Sequence, residues 1–374
     1  MSMAVDVVVA GAGIVGAACA RELASAGLHV AVVDRGFAAC GATSAGMGHI
    51  VVMDDSEAQF ALTRYSQTLW DQLEAELPPE AEFERCGTIW VATDDEELAE
   101  VRRKFSRYTQ RNVAAEILNA AELSAAEPGL RTLLAGGLLV PGDSVLYPPC
   151  AAAHLLDGAR ENGATLLFGE TIVAMGHGNV SLSDGTAISC NRIVNAAGHH
   201  SPSLTAGVNV KPRKGHLVIT DRYAGTVRHQ LVELGYLKSA ASITNDSVAF
   251  NVQPRKTGQV LIGSSRQYNV AESGVDTRIV ARMLQRAFEY VPSLRSASCI
   301  RTWTGFRAAT PDKLPLIGPW PEDPSVILAT GHEGLGITTS LATGRLVADQ
   351  ILERRPAIPV ERYLPSRQMS GAHA

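Results

Sequence analysis

The 374-residue chain lacks what a membrane span, a nucleic-acid surface or a metal centre would require. No apolar run reaches the ~18 residues that a spanning helix needs. Lys and Arg number 33 against 38 Asp and Glu, so no basic excess attracts a nucleic acid. The six cysteines (19, 40, 86, 150, 190 and 299) form no CxxC pair and flank no paired histidines. That argues against a zinc site, and no metal is expected; it also argues against a disulfide framework. Reduced, mostly buried thiols in a cytoplasmic protein are expected instead. The N-terminus shows neither a basic segment nor a cleavage site. Charged residues are 19% and hydrophobic ones 46%, which excludes a disordered chain.

What is present is glycine, in clusters. The 34 glycines are about 9% of the chain, against an average of about 7%, and many sit in four short motifs. The length suits two domains at roughly 100–200 residues each. No linker separates them, so the chain is expected to cross between them more than once.

The first motif follows a strand pattern. Val5–Ala10 (VDVVVA) is a β-branched run bounded by glycine, which predicts a buried strand. An alanine-rich helical stretch, Gly13–Ala26, comes next and stops at Gly27. His29–Val33 predicts a second strand, ending in Asp34. Strand, helix and strand in this span make a βαβ unit with a parallel sheet. Its turn, Gly11-Ala12-Gly13-Ile14-Val15-Gly16, is G-x-G-x-x-G. The glycines serve a tight turn, close approach to a pyrophosphate and close helix–strand packing. The helix N-terminus then faces the diphosphate. Asp34, 21 residues after Gly13, is placed to accept from ribose hydroxyls. Together these predict a dinucleotide site, without separating NAD from FAD.

Further along, helices are expected at 58–77, 95–111 (capped by Asp94 or Asp95), 150–162, 276–288 and 339–354. Strands are expected at 87–92, 165–168, 170–175, 180–183, 187–195, 216–220, 247–252, 259–264 and 325–329. From Pro365 the chain reads as a loose polar tail.

Four later motifs follow in order: Gly41-Ala42-Thr43-Ser44-Ala45-Gly46-Met47, Asn195-Ala196-Ala197-Gly198, Gly305-Phe306-Arg307 leading to Thr310–Gly318, and Gly331-His332-Glu333-Gly334-Leu335-Gly336. In this order and spacing the set resembles the D-amino acid oxidase family of flavoproteins, in its glycine oxidase, sarcosine oxidase and D-amino acid or hydroxyproline dehydrogenase branch. The resemblance covers nearly the whole chain. It implies an α/β fold: a Rossmann-like FAD-binding domain plus an α+β substrate domain with a mainly antiparallel sheet. The expected division is discontinuous, with residues 1–85, 146–210 and 300–374 binding FAD and 86–145 and 211–299 forming the substrate domain. It further implies oxidation of a C–N bond in a small amine or amino acid by hydride transfer to flavin N5. Water then hydrolyses the imine, and the electrons pass to O2 or another carrier. A homo-oligomer, or a subunit of a larger dehydrogenase, is compatible with this. No cysteine lies near Thr310–Gly318, so the FAD is expected to be non-covalent.

The resemblance also assigns roles. Arg307 matches the carboxylate-binding arginine, whose forked donors suit a carboxylate. The alternative is a structural ion pair with Asp312. Gly334, Leu335, Gly336, Ile337 and Thr338 are expected to set backbone amides against the flavin, beside His332. Glu333 either faces a substrate amine or caps the helix. Arg35, Thr43, Ser44, Gly46, Met47 and Gly48, with Ala196 and Gly198, join the cofactor set, and the backbone of Val173 is expected against adenine. His49 is a candidate proton acceptor, since a histidine titrates near neutrality. His216 and Asn251 depart from patterns common in relatives and are candidate pocket residues. Arg266, with Lys214 and His216, offers more positive charge than one carboxylate needs. That hints at a second substrate carboxylate, as in iminodiacetate, an opine or another N-substituted glycine. Trp90 and Trp303 read as core or cofactor-adjacent packing rather than catalytic groups.

Overall fold

A computed structural model describes residues 2–235 and 246–369. The N-terminal run forms the strand Ser2–Ala10, which lies parallel to Val30–Asp34 on one side and to Ala187–Asn195 on the other. The helix Ile14–Ser25 joins the first two strands, so the expected βαβ unit forms. The sheet runs in the order Leu316–Trp320, Asp323–Thr330, Ala187–Asn195, Ser2–Ala10, Val30–Asp34, Thr165–Phe168. Ile172–Gly176 and Asn179–Leu182 extend it from Ala187–Asn195 as an antiparallel pair. Strands buried on both faces need unbroken apolar runs rather than alternation. Val7–Ala10 and Val30–Val33 meet that need and are fully buried. The helices Ile14–Ser25, Pro148–Glu161 and Gly336–Ile351 cover one face through small residues such as Ala17, Ala151 and Ala342.

A second sheet of nine strands has the order His332–Glu333, Cys299–Ala309, Lys211–Arg222, Gln259–Arg266, Ser247–Pro254, Gln230–Glu233, Thr88–Ala92, Gly136–Val140, Glu116–Asn119. Its pairs are antiparallel except Gln230–Glu233 with Thr88–Ala92. The helix Thr277–Tyr290 closes its outer face, where the rings of Phe250 and Tyr290 stack at 4.2 Å.

Several expectations shift. Cys299–Ala309, grouped by sequence with the FAD-binding segments, pairs along Lys211–Arg222 in the second sheet. Its run of threonine, glycine and half-buried residues hides the strand from an alternation test. The last helix starts at Gly336, not Thr339, because two glycines in front of it obscure the periodic pattern. Asp94, not Asp95, caps the Asp95–Thr109 helix, accepting from Glu97 N at 2.8 Å. Of the cysteines only Cys19 and Cys190 are buried; Cys299 is exposed and the other three are half-buried. The tail is tied down where it is described: Ser366–Met369 is a helical turn, and Arg367 Nε donates to Asp312 Oδ2 at 2.6 Å. No described helix is long and apolar enough to cross a membrane.

Candidate active site

A continuous cavity of about 440 Å³ runs from the phosphate-binding turn of the first sheet to the inner face of the second. At the nucleotide end, Gly11, Gly13, Ile14 and Val15 line it. Gly11 has φ +110°, and a Cβ there would lie 2.6 Å from the Ala196 carbonyl oxygen. Gly16 lines nothing; a Cβ on it would lie 1.9 Å from the Gly11 carbonyl oxygen, so its role is packing. Asp34 Oδ2 accepts from Ala12 N at 2.7 Å and Oδ1 from Gly36 N at 2.8 Å. The carboxylate thus staples the turn it was expected only to complement. Thr43 Oγ1 accepts from Ile14 N at 3.0 Å, which leaves the next first-turn amides for a phosphate.

The other expected cofactor residues divide. Arg35, Thr43, Gly46, Met47, Ala196 and Gly198 line the cavity. Ser44 and Gly48 do not: Ser44 Oγ donates to the Gly41 carbonyl, and Gly48 packs on the Leu146 carbonyl. Val173 itself does not line the cavity and its side chain is exposed, while the neighbouring Glu170, Thr171 and Ile172 line it. Sequence reasoning missed an aromatic wall of His199, His200 and Phe306, in which the His199 ring lies 5.3 Å from Phe306. Arg35 Nη2 stands 2.7 Å from His200 Nε2. Histidines directly after the Asn195–Gly198 turn were the available signal.

In the middle of the cavity the turn Gly334–Ile337 lines the wall at the start of Gly336–Ile351. No side chain caps that helix, so its amides and positive dipole end face the space. Thr338 is not on the wall; its Oγ1 donates to the His49 carbonyl at 2.8 Å and so ties the two wall segments together. Burial pushes the His332 imidazole down to about 3, and its Nε2 pairs with Thr343 Oγ1 at 2.9 Å. Burial first, and then the Arg307 guanidinium, hold His49 down at about 4. It is therefore neutral at physiological pH, not poised near it as an ordinary histidine would be. Glu333 caps nothing; it forms an ion pair with Arg213, two strands of sheet having brought residues 120 apart in sequence together.

Arg307 lies on Cys299–Ala309 opposite Arg213 and faces the cavity. Its Nη1 donates to the Ser265 carbonyl at 2.9 Å, and the guanidinium lies over Gly215. The pair with Asp312 considered above is displaced, since Arg367 holds Asp312. Arg266, buried, lines the same end. The extra positive charge shrinks, however. His216 is wholly buried, with Nδ1 3.0 Å from Ser265 Oγ and Nε2 accepting from Asp276 N at 3.0 Å. Burial and Lys214 lower its pKa, so this ring is a neutral crosslink. Lys214 donates to the Gly274 carbonyl, outside the cavity.

Trp90, Val232 and Asn251 stand in register across three neighbouring strands, and all line the cavity. Among the described residues, Trp90 Nε1 and Asn251 Oδ1 are buried without a hydrogen-bond partner. Buried polar atoms left unpaired are costly, so such atoms mark a place where a ligand completes the set. Trp90, read as core or cofactor-adjacent packing, stands on the cavity wall, and the register sets it there. Among the described residues no group of His, Cys, Asp or Glu could hold a metal.

The comparisons agree with this geometry. Residues 6–350 match the family described as FAD dependent oxidoreductase, DAO. The chain belongs to the DAO family. This flavoenzyme is 28% identical to the glycine oxidase of Geobacillus kaustophilus over 97% of both chains. It is 27% identical to the hydrogen cyanide synthase subunit HcnC of Pseudomonas aeruginosa, over 98% of this chain and 97% of that one. The crystal structure of the Geobacillus kaustophilus glycine oxidase superposes with a TM-score of 0.88 at 26% identity, covering 97% and 98%. Its cofactor is therefore FAD, and the enzyme is a flavin-dependent oxidoreductase acting on amino acids. The glycine cradle, Asp34 and the uncapped helix start fit that cofactor.

Proposed function

We propose that this enzyme oxidises the C–N bond of a small amine that carries a carboxylate. Candidates are glycine, sarcosine, iminodiacetate or another N-substituted glycine, and a D-amino acid. We propose O2 as acceptor, H2O2 as product and non-covalent FAD. Bound FAD supplies the acceptor for the hydride that leaves the carbon next to nitrogen. The protein's part is orientation. The observation that carries the reading is Arg307, fixed by Ser265 and seated on Gly215 at the cavity wall. The bond to the Ser265 carbonyl orients the guanidinium plane, and the forked donors of a guanidinium match a carboxylate. Asn251 offers an acceptor to the amine and Trp90 a donor to the far end of the substrate. The neutral His49 adds no positive charge to repel an ammonium group. Arg266 supports a second carboxylate less strongly than a count of cations would, because Lys214 and His216 are engaged elsewhere. The proposed FAD-binding segments are 1–85, 146–210 and the chain after Ala309.

A second reading has support in the likeness to a protein named as a subunit: this chain would then pass electrons to an acceptor other than O2 within a larger assembly. Anaerobic bleaching of the flavin by glycine, sarcosine, iminodiacetate, proline and D-alanine tests the substrate class; no bleaching by any carboxylate-bearing amine refutes it. Repeating the best case in air with peroxide detection separates the two acceptors.

A further inference from the structure

A second cavity of about 350 Å³ adjoins the first. That volume lies within the range of small-ligand pockets. Three pieces of chain wall it: the Asp54–Ser56 loop, the Asp95–Thr109 helix through Lys104 and Arg107, and the turn at Asp312–Leu314. Asp55, Gln59 and Lys313 line both cavities, so the two spaces meet there. Asp312 is exposed at the outer rim and Asp55 is exposed beside the junction, whereas Asp54, Lys104, Gln59 and Leu314 are buried. Met53 and Trp90 line the first cavity, and Lys104 of the second lies over the Trp90 ring.

Its sill is held on every side. Tyr108 O–H donates to the Val52 carbonyl at 2.8 Å, and Met53 N donates to Thr63 Oγ1 at 3.1 Å. Ser56 caps the helix that follows, accepting from Gln59 N at 3.1 Å. The buried Lys104 pairs with Asp54 and lies over the Trp90 ring, 4.7 Å from its centroid. Two desolvated charges are costly unless well matched, and here the match fixes the loop and the tryptophan behind it. The charge pattern is two-sided. Asp55, Glu100 and Asp312 bring carboxylates and Arg107 and Lys313 bring cations, with Arg107 3.5 Å from Asp54 and 3.6 Å from Glu57, and Asp312 held by Arg367. An amino acid carries both signs.

We propose that this second cavity is the passage by which the amino acid reaches the active site, its wall of both signs matching the two charges the amino acid carries. The proposal rests on the amino-acid activity of the family, not on which amino acid or acceptor is used.

Two plugs test it in the FAD-loaded enzyme. Asp55→Trp blocks the junction, and Arg107→Trp fills the outer cavity without touching the main one. Arg107 is a rim residue, its side chain 40% exposed. Flavin content and the melting temperature report that each variant folds. Stopped-flow bleaching with glycine, sarcosine and iminodiacetate is first run on the wild type, which tests the reaction itself. The variants are then compared with it. A passage predicts that both plugs lower the second-order rate constant at low substrate at least ten-fold, while the limiting rate at saturation stays within two-fold. Reduction by dithionite stays unchanged. A second-order constant within two-fold of wild type in either variant, or a limiting rate falling in step with it in Arg107→Trp, overturns the proposal.

Discussion

The Gly215→Ala substitution isolates the positioning of Arg307 from its charge. A Cβ on residue 215 would lie 2.4 Å from Arg307 Nη1 and 2.8 Å from both Cζ and Nη2. Ordinary contact begins near 3.4 Å, so the guanidinium must withdraw by about 1 Å. It can do so because it is the far end of a flexible side chain, not backbone. The fold and the flavin site are therefore expected to survive. What is lost is the alignment of a charge-assisted hydrogen bond, worth about 1.5–3 kcal/mol. At 1.36 kcal/mol per factor of ten, KM for the carboxylate substrate rises about 10- to 150-fold. The limiting rate of flavin reduction should fall less than KM rises, because the cofactor wall at Gly334–Ile337 is untouched. Anaerobic titration with the best substrate gives both quantities. An unchanged KM in a folded, flavin-replete Gly215→Ala protein would show that Arg307 does not hold the carboxylate. Loss of flavin would show instead that the displaced guanidinium disrupts the cofactor wall.

Arg307→Ala removes the contact outright and should raise KM about 100-fold or more; kinetics on a substrate lacking the carboxylate should be far less affected. Asp34→Ala should lose FAD on dialysis and lower the melting temperature as well, since its oxygens staple Ala12 and Gly36; full flavin occupancy afterwards contradicts the ribose contact. Burial raises the Asp143 carboxyl from 3.8 to about 7, above its unfolded value, so its penalty is absent at low pH and grows as pH rises towards 7. Asp143→Asn keeps the Oδ1 acceptor for Val52 and Gln67, so its stability advantage should widen by up to about 4 kcal/mol between pH 4 and pH 8; an equal gap at both, by thermal melts, refutes this. The ionisation of His49, held at about 4, should not appear in kcat/KM above pH 6, and His49→Gln should leave that pH profile unmoved.

The nucleotide half was legible because its information is local. Strand, turn, helix and acid fall within Val5–Asp34, and each is specified by neighbours in sequence. The substrate half is written across the sheet instead. Trp90 and Asn251 become neighbours only because both register against Val232, and no spacing in the chain encodes that. The same holds for charge. Glu333 showed no partner in sequence; the sheet sets Arg213, one strand beyond Cys299–Ala309, against its Oε1 and leaves Oε2 without a hydrogen bond at the cavity wall. Lys214 and His216 read as pocket cations until Gly274 and Asp276 took up their polar atoms. A titratable residue type thus predicts a function only when its burial and partners are known, and both are properties of register. Arg307 escaped this limit because it lies in the local Gly305-Phe306-Arg307 run that the resemblance matched by position, whereas its seat over Gly215, which pairs with Gly305 on the next strand, is again a product of register. It follows that variants at Gly215 and Arg213, wall residues that set the positions of Arg307 and Glu333, should separate positioning from charge more cleanly than variants of Arg307 and Glu333 themselves.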